Sequence, residues 1–301
     1  MPPCLRPRAR REALKSATFL FVMAKTIKQR RKLSVPGTLV LVGAGKMGSA
    51  LLAGWLALGL DPRILAVIEP KPSKELLALK RRGLKINPTT KTLGAAAVIV
   101  LAIKPQATPE VLPGLVPLLG TKTLVVSIMA GRTIRFLERT LPSAAIVRSM
   151  PNTPAAIGRG ITVAYPNARV TAAQRKLAQN LLAATGAVEW VNDERLMDAV
   201  TAVSGSGPAY VFLLAETLAH AGMAAGLSRE LAEKLARATV AGSGELLHRS
   251  DLDAATLRAN VTSPGGTTAA ALDVLMGEGG LDPLLTKAVL AATKRGRDLG
   301  Q

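Results

Sequence analysis

Two glycine-bearing turns, far apart in the chain, carry the residue types that can do chemistry. Gly43-Ala44-Gly45-Lys46-Met47-Gly48 follows the β-rich run Thr38–Val42 and precedes the helical pattern Ser49–Leu58. This is Gly-x-Gly-x-x-Gly between a strand and a helix. The first glycine permits a tight turn, the second lets a pyrophosphate approach the backbone, and the third lets helix and strand pack closely. The chemistry is dinucleotide binding. The second turn is Val261-Thr262-Ser263-Pro264-Gly265-Gly266-Thr267-Thr268, ahead of the apolar, helix-forming Ala269–Met276. Its proline and glycines allow close backbone approach. The helix start behind it offers unpaired N–H groups to an anion. The hydroxyls of Ser263, Thr267 and Thr268 add donors, although Ser and Thr are also ordinary helix caps.

The rest of the chain supplies the elements that must hold these turns. Ile64–Ile68 reads as a strand ending at Glu69, where a ribose-binding carboxylate is expected. Alone, Glu69 favours NAD; Lys71, Lys74, Arg81 and Arg82 are alternative receivers of a 2′-phosphate. Ser73–Arg82 is helical and Leu84–Ile86 a short strand. Ala96–Ile103 is a continuous apolar run, as in a parallel sheet covered on both faces. It ends in Lys104-Pro105-Gln106, and ligands bind in loops after such strand ends. Lys104 reads as a charged loop residue near the cofactor rather than a catalytic acid. Thr123–Ile128 and Ala145–Arg148 are further strands, with a helix over Thr133–Arg139 between them. The prolines of Met150-Pro151-Asn152-Thr153-Pro154-Ala155 fix a loop. Ile161–Ala164 and Ala187–Val191 complete the strands, separated by a helix over Thr171–Ala184. From Asp193 the character changes: Asp193–Val203, Pro208–Ala221, Arg229–His248 and Thr267–Met276 all read as helices, with Ser204–Pro208 interrupting the first two. The expected organisation is a basic, disordered extension over 1–36, a dinucleotide-binding α/β domain over 37–192, and an all-α domain over 193–301.

Composition bounds the function. The 301 residues carry two histidines and one cysteine, so a His/Cys metal cluster and an intramolecular disulfide are not expected. One cysteine suits a reducing cytosol. The net charge is +19, but residues 1–35 concentrate much of it, with ten Lys and Arg against the single acid Glu12. Aromatics are 3% of the chain, too few for a surface on which bases stack. Neither nucleic-acid nor membrane binding is expected. The tail is Arg- and Ser-bearing with a short apolar patch, Ala17–Val22, and resembles a transit peptide; a disordered extension, or a true start at Met23, is preferred, with a cytoplasmic location.

The order and spacing of Gly43–Gly48, Ala102-Ile103-Lys104-Pro105, Met150–Ala155, Val203–Pro208 and Val261–Thr268 together resemble the pyrroline-5-carboxylate reductase family, over about residues 37–277. The resemblance implies a Rossmann-type, doubly wound, mostly parallel sheet followed by an all-α dimerisation domain. It implies NAD(P)H-dependent reduction of the C=N bond of 1-pyrroline-5-carboxylate to L-proline, with NADPH expected and NADH as an alternative. It also implies a homodimer or ring of dimers, in which the helices of two subunits complete each site. On this resemblance Gly43, Gly45, Lys46, Met47 and Gly48 cradle the pyrophosphate. Ala102, Ile103, Lys104, Pro105, Ala130 and Asn152 flank the rest of the cofactor, with Glu69 at the ribose. Ser263, Gly265, Gly266 and Thr267 hold the substrate carboxylate, and Thr268 hydrogen-bonds the ring nitrogen as the catalytic residue. Asp251 stands where some relatives have a Glu near the substrate amine. Hydride transfer to an imine needs neither a protein nucleophile nor a metal, so the lack of an obvious catalytic histidine is no objection. Rival readings are a hydroxyacid dehydrogenase or imine reductase of the same two-domain plan, and a nucleotide-binding homologue without activity. The dehydrogenases usually need a basic Lys or His to move the alcohol proton, and Lys234, His220 and His248 sit in no convincing motif.

Overall fold

The computed structural model describes residues 32–300. The tail before residue 32, with Cys4, Ala17–Val22 and Met23, lies outside the described residues. The chain joins the fold earlier than expected. Leu33 and Val35 are buried, and the Leu33 N–H donates to the Leu58 carbonyl at 3.1 Å, so the domain start moves back from residue 37 to Leu33.

Eight strands form one sheet: β1 (Leu39–Val42), β2 (Leu65–Ile68), β3 (Lys85–Ile86), β4 (Val98–Leu101), β5 (Leu124–Ser127), β6 (Ala145–Met150), β7 (Gly160–Pro166) and β8 (Gly186–Trp190). Their order is β3-β2-β1-β4-β5-β6-β7-β8. Strands β1 to β6 run parallel to their neighbours. β7 is antiparallel to β6 and β8 is parallel to β7. The reversal has a local cause: the proline-bearing stretch after β6 winds only into the short 3₁₀ segment Thr153–Ile157, and a short connection can join antiparallel strands but not parallel ones.

The register aligns the strand ends. Val42 pairs with Ile68 on one side and with Leu101 on the other, and Leu101 pairs with Ser127. The loops after β1, β2, β4 and β5 therefore leave the sheet at one level. Side chains alternate between faces. Leu39, Leu41, Val98, Val100, Leu124 and Val126 share a core with Leu51 and Trp55. Val40, Val42, Ile99, Leu101 and Val125 share the other with Leu112 and Leu137. Both cores are closed by helices: α1 (Lys46–Ala57), α2 (Lys74–Ala78), α3 (Ile134–Thr140) and α4 (Ala172–Leu182). Trp55 locks α1 to α4, being fully buried with its indole N–H donating to the Leu181 carbonyl at 2.9 Å.

Beyond Trp190 the described chain is helical: after short turns come α5 (Gly207–Ala224), α6 (Arg229–Arg249), α7 (Ala254–Asn260), α8 (Thr267–Leu275) and α9 (Leu281–Gly300). Two expectations change here. The interruption at residues 204–208 is present: Thr201–Gly205 winds as a π-turn, Ser206 is a bend, and α5 starts at Gly207. A Cβ at Gly205 would meet Cε of Met150, the flexible end of that side chain, at 2.5 Å. The helices α7 and α9 were not expected. Asp253 caps α7, accepting from the Thr256 N–H at 2.8 Å. α9 opens with Leu281-Asp282-Pro283, which reads as a turn, yet proline in a first turn removes an N–H that has no helical partner anyway.

One buried charge joins the two parts. Arg148 on β6 is 4% exposed. Its guanidinium lies 2.9 Å from a Glu194 carboxylate oxygen and 3.6 Å from one of Asp198. The same Glu194 oxygen accepts the Ile134 N–H at 2.8 Å. Gly296 on α9 sits beside Asp198, where a Cβ would make ordinary contact at 3.4 Å. The helices also leave large apolar side chains uncovered, among them Phe212 at 69%, Leu246 at 67% and Val274 at 76% exposed. Truncating one partner of a buried ion pair strands its counter-charges. Arg148→Ala is accordingly expected to cost about 3 kcal/mol in urea-induced unfolding; a loss within about 0.5 kcal/mol, the range of an ordinary surface change, would remove the strut from this description.

Candidate active site

The first glycine turn leaves β1 at the point where strand order reverses, between β1 and β4, the usual position for a dinucleotide in such sheets. Its three glycines do different work. Gly43 has φ +93°, and a Cβ there would meet the Ala102 carbonyl oxygen at 2.6 Å. At Gly48 a Cβ would come within 2.2 Å of the Gly43 carbonyl oxygen. Nothing lies within 4 Å of the position a Gly45 Cβ would take. The outer glycines are required by the protein's own packing; the middle one fronts open space. Gly45 is also the N-cap of α1 and makes no side-chain cap bond, so the first N–H groups of the helix point at that space. The turn is braced by Ser49, whose N–H donates to the Gly45 carbonyl at 2.8 Å and whose hydroxyl donates to the Ala44 carbonyl at 2.7 Å. Lys46 in the first helical turn adds a cation. This cradle fits a pyrophosphate, a doubly charged group that takes N–H donors and needs a bare backbone.

The other cofactor-side residues line the same sheet edge. The Ala102 N–H donates to the Val42 carbonyl at 2.7 Å, which sets Ala102–Pro105 beside the glycine turn. Lys104 is exposed. The Pro105 carbonyl is held by Arg132, whose Nη2 donates at 2.9 Å while its guanidinium carbon stacks 4.4 Å from the Phe136 ring centre. Arg132 so ties the loop after β4 to the loop after β5 that carries Ala130. Asn152 turns its amide oxygen onto the Ile161 N–H at 3.0 Å, which shapes the loop after β6. Glu69 accepts the Ala44 N–H at 2.8 Å and the Lys71 N–H at 3.0 Å. Sequence reasoning missed Arg132 and Asn87. Asn87 has the left-handed φ of +48°, which asparagine tolerates, and the Asn-Pro pair at 87–88 was the available signal.

The second turn is built as a helix entrance. The Gly266 N–H donates to the Ser263 carbonyl at 3.0 Å, Gly265 takes φ +68°, and Gly266 is the N-cap of α8 with no side-chain cap bond. Ser263, Gly265 and Thr267 are exposed and Thr268 is half-buried. Asp251 is exposed between α6 and α7. Its neighbour Asp253 is the one bound into structure: hydrogen bonds from the Thr256 N–H and hydroxyl hold its carboxyl below the usual range. Among the described residues, helices α7 and α8 pack extensively on no other element. Within one chain, then, the structure does not bring Ser263–Thr268 to the glycine turn. A hollow of about 1040 Å³ opens instead beside Gly37, Ala97, Lys122 and Arg169, at the starts of the parallel strands and away from their ligand-binding ends. Three of its polar groups are engaged: Thr171 and Gln174 form a capping box and Arg169 pairs with Glu138 at 2.7 Å.

Among the described residues there is no group of His, Cys, Asp and Glu able to hold a metal, and no helix is long and apolar enough to cross a membrane.

Comparison with known proteins bears on both halves. Residues 194–299 match the family model described as pyrroline-5-carboxylate reductase dimerisation. Residues 38–131 match that of the F420-dependent NADP oxidoreductases. The chain is 38% identical over 265 residues to a pyrroline-5-carboxylate reductase of Pseudomonas aeruginosa, covering 87% of this chain and 97% of that protein. It is 39% identical over 263 residues to one of Synechocystis, with the same coverage. Among solved structures, a pyrroline-5-carboxylate reductase of Coxiella burnetii superposes with a TM-score of 0.81 at 34% identity, over 88% of this chain and 99% of that one. A Plasmodium falciparum pyrroline carboxylate reductase with NADP bound gives 0.74 at 32% identity, with the same coverage.

The glycine geometry makes a contrasting pair. Gly45→Val is expected to keep the fold and abolish dinucleotide binding, read by quenching of protein fluorescence, because its side chain fills only the cradle. Gly48→Val is expected to lower thermal stability as well, since backbone stands in its way. Undiminished cofactor affinity in Gly45→Val would show that the cradle lies elsewhere.

Proposed function

On the premise that this chain belongs to the pyrroline-5-carboxylate reductase family, as its relatives at 38–39% identity over 87% of its length establish, we propose which of its residues carry the reaction. The activity itself is that of the family: the chain is an NAD(P)H-dependent oxidoreductase that reduces 1-pyrroline-5-carboxylate in proline biosynthesis, and it is a homo-oligomer through its dimerisation domain. The observation that carries the site reading is the pair of uncapped helix starts, at Gly45 and at Gly266. Each presents unpaired N–H groups to an anion, and the reaction brings together two anionic partners.

In this reading Gly43–Gly48 and Lys46 hold the pyrophosphate, with Met47 at the helix start. Ala102–Pro105, Ala130 and Asn152 line the remainder of the cofactor cleft. When bound there, NAD(P)H supplies the hydride. The backbone of Gly265 and Gly266 and the hydroxyls of Ser263 and Thr267 take the substrate carboxylate. That fixes the ring, and fixing the reacting carbon is the larger part of what the protein must contribute. Thr268, half-buried in the first turn of α8, hydrogen-bonds the ring nitrogen, which gains basicity as the double bond is lost and needs a proton from the Thr268 hydroxyl or from water. Asp251, solvent-exposed before α7, stands near the substrate amine in this reading.

The oligomer follows from the same geometry. Because α7 and α8 make no extensive contact with their own sheet domain, the Ser263–Thr268 turn of one subunit serves the cofactor cleft of its partner. The smallest assembly that completes a site is therefore a dimer, which further dimers can extend into a ring. Residues 193–301 form the substrate-binding and dimerising part. The location in this reading is the cytoplasm, in keeping with a single cysteine. Thr268→Ala is expected to lower kcat about tenfold or more, as for a proton-handling group, while leaving the cofactor Kd within about twofold. An unchanged kcat with pyrroline-5-carboxylate takes Thr268 out of the reaction.

A further inference from the structure

The carboxylate of Glu69 is not a loose strand-end group. One oxygen accepts the Ala44 N–H inside the glycine turn at 2.8 Å, and the other accepts the Lys71 N–H at 3.0 Å. Its backbone is equally committed. The Glu69 N–H donates to the Asn87 amide oxygen at 2.8 Å, and the Asn87 amide nitrogen donates to the Glu69 carbonyl at 2.8 Å. Asn87 in turn donates its own N–H to the Val67 carbonyl at 2.8 Å. Main chain and side chain are thus pinned from both sides. The carboxylate sits at the end of β2 beside the dinucleotide turn, where the adenosine ribose of a bound dinucleotide lies. Each oxygen has used one acceptor position and keeps another free.

The competing cations divide in two. Helix α2 and the 3₁₀ segment Leu79–Arg82 run back down the sheet, and Gly83 behind them is so close to Arg63 that a Cβ would meet its Cγ at 2.6 Å. Arg63 precedes β2. Arg81 and Arg82 consequently lie toward the start of β2, away from the ribose end. Lys71 and Lys74 remain near it, both exposed. None of the ion pairs between described residues involves Glu69, so its charge is not neutralised at contact distance.

We propose that Glu69 makes this chain prefer NADH over NADPH: its fixed carboxylate accepts hydrogen bonds from the ribose hydroxyls and repels a 2′-phosphate. The proposal rests on the dinucleotide reading of the glycine turn, and it departs from the NADPH expected on the family resemblance. A phosphate monoester brings about −1.5 to −2 charges. To admit it, Glu69 must leave the Ala44 and Lys71 N–H groups, and the turn loses its brace.

The test is titration of the full-length protein with NADH and with NADPH in the absence of substrate, followed by nicotinamide fluorescence, beside kcat/KM for each cofactor with pyrroline-5-carboxylate. The unsubstituted protein should bind NADH about tenfold or more tightly than NADPH. Glu69→Gln keeps an acceptor for the Ala44 N–H and removes the charge, so NADPH affinity should rise about tenfold while the melting temperature holds. Glu69→Ser should narrow the ratio further. An NADPH preference in the unsubstituted protein, or an unchanged ratio in Glu69→Gln, overturns the proposal. Absence of binding by either cofactor overturns it together with the dinucleotide site. The expected binding preference without turnover of pyrroline-5-carboxylate upholds it and refutes the reductase reading instead.

Discussion

The parallel register of β1, β2, β4 and β5 is the constraint on which the molecule depends. Pairing Val42 with both Ile68 and Leu101, and Leu101 with Ser127, ends four strands at one level. The groups assigned to the cofactor leave the sheet from that line, apart from Asn152, which follows β6. A shift of one residue in any pair would turn buried side chains to the opposite face. Each face has its own apolar core, so the register cannot slip without emptying one of them. Within this frame the turn after β1 has little freedom. The contacts of Gly43 with Ala102 and of Gly48 with Gly43 close it so tightly that only the Gly45 side is left for a ligand.

The helical half obeys a different constraint. Its sequence is apolar enough for a core, yet Phe212, Leu246 and Val274 remain exposed. Apolar patches of that kind on a folded chain mark an interaction face, and the match to a dimerisation family model over 194–299 identifies it. The turn proposed to hold the substrate hangs on this half, so within one chain the two uncapped helix starts do not meet. Arg148, with Glu194 and Asp198, fixes the hand-off between the halves. The Met150–Gly205 contact brings the loop after β6 against the π-turn.

Much of this was legible in the residues, and the remainder was hidden for identifiable reasons. The strands read clearly because continuous runs such as Val98–Leu101 leave no other solution than a sheet covered on both sides. The glycine turn read clearly because strand, turn and helix follow in the required order. Ser204–Pro208 has the composition of a loop and does interrupt the helices, but the residues alone do not show that the interruption is a π-turn ending at Gly205. α9 was missed because its Asp-Pro start imitates a turn. Leu33 and Val35 were placed in the tail because the basic run around them masks two buried side chains. The role of Glu69 was undecidable from sequence: four cations follow it, and nothing but the fold sends Arg81 and Arg82 to the far end of β2.

The central claim is that each active site draws its dinucleotide turn from one subunit and its substrate turn from another. Co-expression of Gly45→Val with Thr268→Ala chains measures this directly. Each variant alone makes impaired homodimers. In a mixed dimer, the intact Gly43–Gly48 turn of one chain faces the intact Ser263–Thr268 turn of the other, and reductase activity should rise well above that of either variant expressed alone. A mixed preparation no more active than its parents, with hybrid dimers demonstrated by differential tagging, would contradict the shared site.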